Sequence, residues 1–78
     1  MTDILAGSLY KHFKGKGGIY RVVDLATHTE TGEQLVIYMS VDNTRKVYAR
    51  PLEMFISKVD KVKYPEIKQE YRFEKIVT

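Results

Sequence analysis

The chain has no cysteine, and this absence removes two common ways of stabilising a small domain. A disulfide framework and a cysteine-based zinc site both require thiols. A chain of 78 residues buries only about 60% of the surface that its unfolded form exposes, so its core must be small. The sequence therefore predicts a single domain over residues 1–78 without covalent cross-links. The lack of cysteine also fits a reducing cytosol.

Long hydrophobic runs are missing as well. The longest, Leu35–Met39, has five residues, whereas a membrane-spanning helix needs about 18 or more. The first residues contain no basic segment ahead of an apolar stretch, which a secretory signal would have. We therefore expect a soluble, cytoplasmic protein with no membrane partner.

Charge is distributed unevenly along a chain whose net charge is +3. Residues 22–44 hold four acids and neither Lys nor Arg, whereas residues 45–63 hold six bases and two acids. Near the N-terminus, Lys11, Lys14 and Lys16 alternate with aromatic residues. Basic residues among aromatic ones are typical of surfaces that bind nucleic acid, and a dipolar surface also suits an acidic protein partner. The alternative is that the aromatic residues are core and the lysines are simply solvated.

The periodicity of apolar residues that is typical of helices is largely missing. Instead, the chain has short runs of β-branched and aromatic residues separated by turn residues, a pattern that predicts strands. The run at 34–41 is apolar on both faces, which is typical of a strand in a closed or nearly closed small barrel. Glycine-containing or polar turns are predicted at 14–18 (KGKGG), 30–32 and 42–44. The predicted strands are Ser8–Phe13, Ile19–Thr29, Gln34–Val41, Lys46–Arg50, Ile56–Val59 and a last strand around Tyr71–Ile76.

Proline ends the fourth predicted strand. Pro51 fixes φ and removes a hydrogen-bond donor, and the following residues are too few for a stable α-helix. One helical turn near residues 51–55 fits better, burying Leu52, Met54 and Phe55. These elements predict a mainly β protein, a small SH3-like barrel of five to six short antiparallel strands with one helical turn. Its core covers about 7–60, and an extension at 61–78 ends in a strand.

Two polar residues beside the second turn are not explained by turn geometry. His28 and Glu30 are two positions apart, a spacing that places both on one face of a strand. Arg50 precedes a proline, which holds its backbone extended and gives its side chain a defined direction. Arg50 pairs with Glu30 or Glu53 in one interpretation and binds an anionic ligand in the other. We expect His28 and Glu30 to contact Arg50 and His12.

The sequence offers one candidate set of metal ligands. His12, His28 and Glu30 form a possible His₂–carboxylate set, although nothing in their spacing requires that they meet. No serine stands in a context typical of a nucleophile, and cysteine is absent. We therefore predict no cofactor and no bound metal, and we assign no catalytic residue.

Three motifs resemble one known family. YKHFKG at 10–15, ATHTETGE at 26–33 and RPLEMF at 50–55 resemble the small bacterial proteins classed as domain of unknown function 1653. The resemblance spans residues 7–59, and it implies an SH3-like barrel and no established activity. Two features depart from the family: Tyr48 stands where members carry Trp, and the C-terminal segment is longer. The resemblance implies a shared polar set, namely Tyr10, His12, Lys14, His28, Glu30, Thr31 and Arg50.

The function predicted from these observations is that of a small non-catalytic binding module. It would use a polar and aromatic patch, flanked by Tyr38 and Tyr48, to bind a peptide or a nucleic acid, as a monomer or homodimer. Two alternatives stay open: the polar cluster is structural, in an accessory subunit, or it belongs to a small enzyme or metal protein. The candidate ligand-binding residues are Tyr10, His12, Lys14, His28, Glu30 and Arg50.

Overall fold

The computed structural model describes residues 4–14, 18–42 and 46–76 of the chain. The central residues of the predicted KGKGG turn lie outside the described residues. The same is true of residues 43 and 44 in the predicted turn that begins at Asp42. All structural statements below concern the described ranges.

The described residues form one antiparallel sheet of five strands and one short helix, which confirms the mainly β prediction. The sheet order is β4-β3-β2-β1-β5. The predicted strand at Ile56–Val59 is reduced to an isolated bridge between Lys58 and Tyr71. No helix in the described ranges has the length and apolar character needed to cross a bilayer. The elements are β1 (Leu9–His12), β2 (Ile19–Thr27), β3 (Gln34–Ser40), β4 (Val47–Pro51), α1 (Leu52–Phe55) and β5 (Phe73–Lys75).

The loop between β2 and β3 has the predicted left-handed glycine, because Gly32 adopts a φ of 76°. The His28 N–H donates to the Glu33 carbonyl at 2.8 Å, and the Gly32 N–H donates to the His28 carbonyl at 2.8 Å. β2 ends at Thr27, two residues before the predicted end. His28 and Glu30 therefore lie in the loop and not on one face of a strand, which corrects the prediction.

β3 is buried mainly on one face. Val36 and Tyr38 are 0% and 4% exposed, whereas Leu35, Ile37 and Met39 on the opposite face are half-buried. Alternation along the strand produces this difference, because Phe55 of α1 and Phe73 of β5 belong to the same buried cluster as Val36 and Tyr38. The prediction that both faces of this strand are covered therefore holds only in part.

An aromatic cluster forms the centre of the core. Phe55 stacks on Phe73 with ring centroids 4.1 Å apart and an interplanar angle of 8°. Tyr10 and Tyr38 meet Phe55 edge-on at 5.3 and 5.4 Å. Edge-on and offset arrangements of this kind add to the stability gained from burial. The single turn of α1 therefore contributes its one fully buried side chain to the middle of the core.

The helical turn near 51–55 is present, but one residue in it is oriented differently from the prediction. Leu52 and Phe55 pack inward, whereas Met54 is 47% exposed. Residues three apart share a helix face, whereas Met54, which lies between them in sequence, projects from another side of the turn. The predicted burial of Met54 is therefore wrong.

The C-terminal segment contributes a strand to the sheet, as predicted. β5 pairs with β1, so that His12 lies opposite Phe73 and Tyr10 lies opposite Lys75. The backbone just before β5 is tied to the segment after α1, because the Arg72 N–H donates to the Ser57 carbonyl at 2.9 Å. The edge strand next to β1 is thus supplied from the far end of the chain.

Replacing Phe55 should show how much of the stability depends on this cluster. Phe55→Ala removes a side chain that is 1% exposed and leaves a cavity against Phe73. We expect a loss of about 3–5 kcal/mol in the free energy of unfolding, measured by urea denaturation. Met54→Ala, in the same helical turn, is the control and should change it by less than about 0.5 kcal/mol. Equal losses in both variants would contradict the assigned core.

Candidate functional site

A small open cavity lies at one end of the core-facing side of the sheet. It has a volume of about 170 Å³ and takes at least one side chain from every strand. We call it the His12–Arg50 pocket. Its lining residues are His12, Tyr20, Tyr38, Tyr48, Arg50 and Phe73.

Strand register brings these residues to the same face. His12 pairs with Phe73 across β1 and β5, and Tyr38 pairs with Tyr48 across β3 and β4. Directly opposite residues in an antiparallel pair project from the same side of the sheet. Arg50 is two residues from Tyr48 along β4, and it therefore shares that side.

Arg50 is fixed by two contacts inside the pocket. Its Nε donates to the Tyr38 hydroxyl at 3.2 Å, and its guanidinium carbon lies 5.4 Å from the centre of the Phe73 ring. The described residues contain no ion pair of Arg50 with an acid, so the predicted pairing with Glu30 or Glu53 is wrong. The Nη groups are therefore available to an acceptor that enters the pocket.

His12 is a neutral hydrogen-bond donor at physiological pH. Burial, followed by the positive charges of Arg50, Arg72 and Lys14, lowers the pKa of His12 to about 4. Its Nδ1 accepts the Lys14 backbone N–H at 3.1 Å, so the single proton of the neutral ring is on Nε2. The ring packs against Phe73, 4.7 Å away between centroids. His12 thus adds an N–H donor next to the Arg50 guanidinium without adding a charge.

The three tyrosines of the pocket contact one another. Tyr20 meets Tyr38 and Tyr48 edge-on at 5.4 and 6.0 Å, and Tyr38 stacks on Tyr48 at 5.5 Å. Burial, helped by its tyrosine neighbours and Asp42, raises the pKa of Tyr20, so its hydroxyl stays protonated. Rings this close leave no cage between them for a cationic ligand. The donors around Arg50 instead favour an oxyanion such as a carboxylate or phosphate.

The structure brings together two of the predicted site residues and separates the others. His12 and Arg50 line the same pocket, and Tyr38 and Tyr48 are beside them. Tyr10, by contrast, is 4% exposed and packs in the core. Lys14 is exposed, and its ammonium lies over the Tyr64 ring at 5.1 Å, next to the pocket and not in it.

His28 and Glu30 do not reach the pocket. The His28 Nδ1 accepts the backbone N–H groups of Glu30 and Thr31 at 3.2 and 3.4 Å, which closes the hairpin loop. The His12 backbone N–H donates to the Gly18 carbonyl, just before β2 begins, whereas His28 follows the end of β2. The intervening strand of about ten residues corresponds to roughly 30 Å. The predicted contact of His28 and Glu30 with His12 is therefore wrong. The hydrogen bonds and ion pairs of Arg50 among the described residues include neither His28 nor Glu30.

The same separation bears on the metal alternative. His12, His28 and Glu30 lie too far apart to share one ion, which would bind each ligand at about 2 Å. Within the described ranges, no group of three or more His, Asp or Glu side chains has an arrangement that would hold a metal.

Sequence reasoning missed the contribution of the C-terminal segment to the site. Phe73 lies beneath both His12 and Arg50, and Arg72 and Tyr64 contact the adjacent Phe13. The aromatic residues at 64, 71 and 73 were a usable signal of a folded tail. Their partners were not readable, because a sequence does not state which strand pairs with a distant one.

A comparison with known families decides the relationship of the chain. Residues 8–75 match the family described as Protein of unknown function (DUF1653). The chain belongs to this family. The DUF1653 match continues past Val59, where the motif resemblance ended, and includes β5. Comparisons with curated proteins and with solved structures gave no match.

The role of His28 in the hairpin can be tested by stability. His28→Ala removes the acceptor of two loop N–H groups, and we expect the free energy of unfolding to fall by about 0.5–1.5 kcal/mol. His28→Asn keeps a short side chain suited to turns and should recover most of the loss. Glu30→Ala is the control and should change stability by less than about 0.5 kcal/mol. A larger effect at Glu30 than at His28 would refute this role.

The environment of His12 predicts a pH dependence of stability. In the unfolded chain His12 binds a proton near its usual pKa of 6.5, but in the folded protein only near pH 4. Between these two pH values the unfolded chain binds more protons than the folded protein does. A falling pH therefore stabilises the unfolded chain relative to the folded protein. The free energy of unfolding should therefore decrease as the pH falls from about 6.5 to about 4. Above pH 6.5, His12 should make no contribution to its pH dependence.

The measurement is the urea midpoint of the wild type and of His12→Gln at several pH values in this range. The difference between the two curves isolates His12 from the carboxylates, which titrate in both proteins. NMR titration of the His12 ring provides a second measurement. Parallel curves together with a ring that titrates near pH 6.5 would contradict the assigned environment.

Proposed function

We propose that this DUF1653 chain is a small, non-catalytic binding module that takes an oxyanion of its partner into the His12–Arg50 pocket. We further propose that its sheet is an SH3-like barrel and that it acts in the cytoplasm. The observation that carries the proposal is the guanidinium of Arg50, held in an open pocket without an acidic partner among the described residues.

The chemistry of the lining supports an anion as the ligand. Arg50 supplies planar N–H donors, which suit carboxylate and phosphate geometry. His12 supplies an Nε2–H, and Tyr20 and Tyr48, which also line the cavity, each carry a hydroxyl that can donate. Hydrogen bonds between a charged donor and an oxyanion are about twice as strong as neutral ones.

The fixed position of Arg50 also supports binding. The Tyr38 hydroxyl uses the Nε group, and Phe73 covers one face of the guanidinium. An arginine already held in this way loses little side-chain freedom when a ligand arrives, so less of the binding energy is spent on ordering it. Only the Nη groups remain to be satisfied, and they determine where the oxyanion sits.

One observation favours a second candidate, a purely structural polar cluster. The bond from Arg50 to Tyr38 joins β4 to β3 and would by itself contribute to stability. The two candidates differ in what they predict for a free ligand: the structural cluster needs none. A binding experiment on Arg50 therefore separates them.

The binding experiment is an NMR titration with sodium phosphate and, separately, with sodium acetate. We expect the Arg50 Nε–H and the backbone amides around His12 to shift in a saturable way. Arg50→Gln should weaken binding at least about tenfold, since it removes a charge-assisted hydrogen bond worth about 1.5–3 kcal/mol. Arg50→Lys keeps the charge but loses the planar donors, so its affinity should lie between that of the wild type and that of Arg50→Gln.

Arg21→Gln is the matched control, because it removes one exposed arginine on β2, outside the pocket. It should bind like the wild type. If Arg50→Gln and Arg21→Gln weaken binding equally, only the net charge matters and the pocket proposal fails. If no anion produces saturable shifts while Arg50→Gln lowers the melting temperature, the structural alternative is correct.

A further inference from the structure

Beside the pocket lies a surface on which cations and aromatic rings are interleaved. Only part of this surface belongs to the sequence motifs described above. The Lys14 ammonium lies 5.1 Å from the Tyr64 ring centre and 5.9 Å from that of Phe13. Lys63 lies 5.5 Å from Tyr64, and the Arg72 guanidinium lies 5.8 Å from Phe13. We call this surface the basic ridge. It consists of Phe13, Lys14, Lys63, Tyr64 and Arg72.

The basic ridge is continuous with the His12–Arg50 pocket. The His12 ring lies between Phe13 and Phe73, with centroid distances of 4.8 and 4.7 Å, and Phe73 underlies Arg50. Burial is the largest cause of the lowered pKa of His12, and the nearby positive charges of Arg50, Arg72 and Lys14 lower that pKa further. The cations of the pocket and the ridge therefore form one positively charged surface.

Within the described ranges, the cations of this surface have no carboxylate partner. The ion pairs there are Lys11 with Glu74 and Lys58 with Glu70, and both are elsewhere. The Arg72 Nε donates to the Ser57 hydroxyl, a neutral group, at 3.1 Å. Cations that are not neutralised internally attract phosphates, and their counterions are released when a nucleic acid binds.

An exposed aromatic ring lies on the other side of the pocket. Tyr48 is 40% exposed, although one of its faces stacks on Tyr38 at 5.5 Å. The exposed part of the residue is what a planar group would contact. Bases stack on such rings regardless of sequence, because every base has a π-face.

These observations lead to one proposal about the partner. We propose that the module binds single-stranded nucleic acid, with a phosphate in the His12–Arg50 pocket, a base on Tyr48 and the backbone along the basic ridge. This inference rests on the proposed oxyanion pocket and extends it to a ligand class.

The aromatic rings distinguish a single strand from the other polyanions. An acidic peptide would use the cations but would gain little from an exposed Tyr48 face. A duplex keeps its bases stacked inside, and its major groove is read by a helix or a β-ribbon. The helix of the described residues, α1, has four residues and packs against the core. A single strand is the polyanion that uses both kinds of group.

The test is a fluorescence anisotropy titration with a labelled oligothymidylate of about 8 nucleotides, a typical site size for a small single-strand binder. The same length of abasic oligonucleotide, a DNA duplex and an oligoglutamate peptide serve as comparison ligands. We expect the oligothymidylate to bind most tightly. The abasic strand should bind at least about fivefold more weakly, since stacking of one base is worth a factor of about 5–150.

Two sets of variants separate stacking from charge. Tyr48→Leu should weaken binding by about 5–150-fold, whereas Tyr71→Leu, at another exposed tyrosine with a lysine over its ring, should not. The double variant Lys14→Gln/Lys63→Gln should reduce the slope of log K against log salt by about 1.4. The pair Lys11→Gln/Arg21→Gln removes the same formal charge from the opposite face of the sheet and should leave the slope unchanged.

Other outcomes would overturn the inference. An abasic strand or oligoglutamate that binds as tightly as oligothymidylate would mean that only charge is recognised, and tighter duplex binding would name a different partner. If Tyr48→Leu does not fold, the comparison of oligothymidylate with the abasic strand decides whether a base stacks, and equal affinities for the two refute it. If oligothymidylate fails while phosphate still shifts Arg50, this inference falls and the oxyanion pocket stands. If both fail, both fall.

Discussion

The stacking of Phe73 on Phe55 is the contact on which both the fold and the pocket depend. The rings are nearly parallel at 4.1 Å, and they join the helical turn after β4 to the strand formed by the C-terminal segment. Phe73 also contacts His12, Tyr38 and Arg50. Because one side chain serves as both core and floor of the pocket, the geometry of the site is only as rigid as the packing of β5.

This arrangement explains how Arg50 can lie on the core-facing side of the sheet without an ion pair to an acidic residue among the described residues. Tyr38 satisfies one donor of Arg50 and Phe73 covers a face of the guanidinium, so the charge is positioned while its remaining donors stay accessible. His12 contributes to the same end, because it stays neutral and adds no repulsion to Arg50. A protonated imidazole at this position would oppose three nearby cations. The surroundings of His12 thus favour the neutral imidazole.

The local features of the fold were predictable from sequence. Gly32 at a positive φ, the single helical turn after Pro51 and the positions of four strands follow from turn chemistry and from β-branched and aromatic runs. The prediction that the turn does not explain His28 is wrong. The His28 ring accepts hydrogen bonds from two N–H groups of its own loop. The two-residue spacing to Glu30 had instead suggested that both residues share one face of a strand.

The sequence by itself determined a mainly β chain and the family, because those depend on residue types close together in the chain. Only the tertiary structure decided which of the motif residues meet. His12 and Arg50 come together because β5 pairs with β1 and Phe73 sits between them. His28 stays away because β2 separates it from His12 by its whole length. Such pairing is set by the packing of the whole sheet, and no short segment of sequence encodes it.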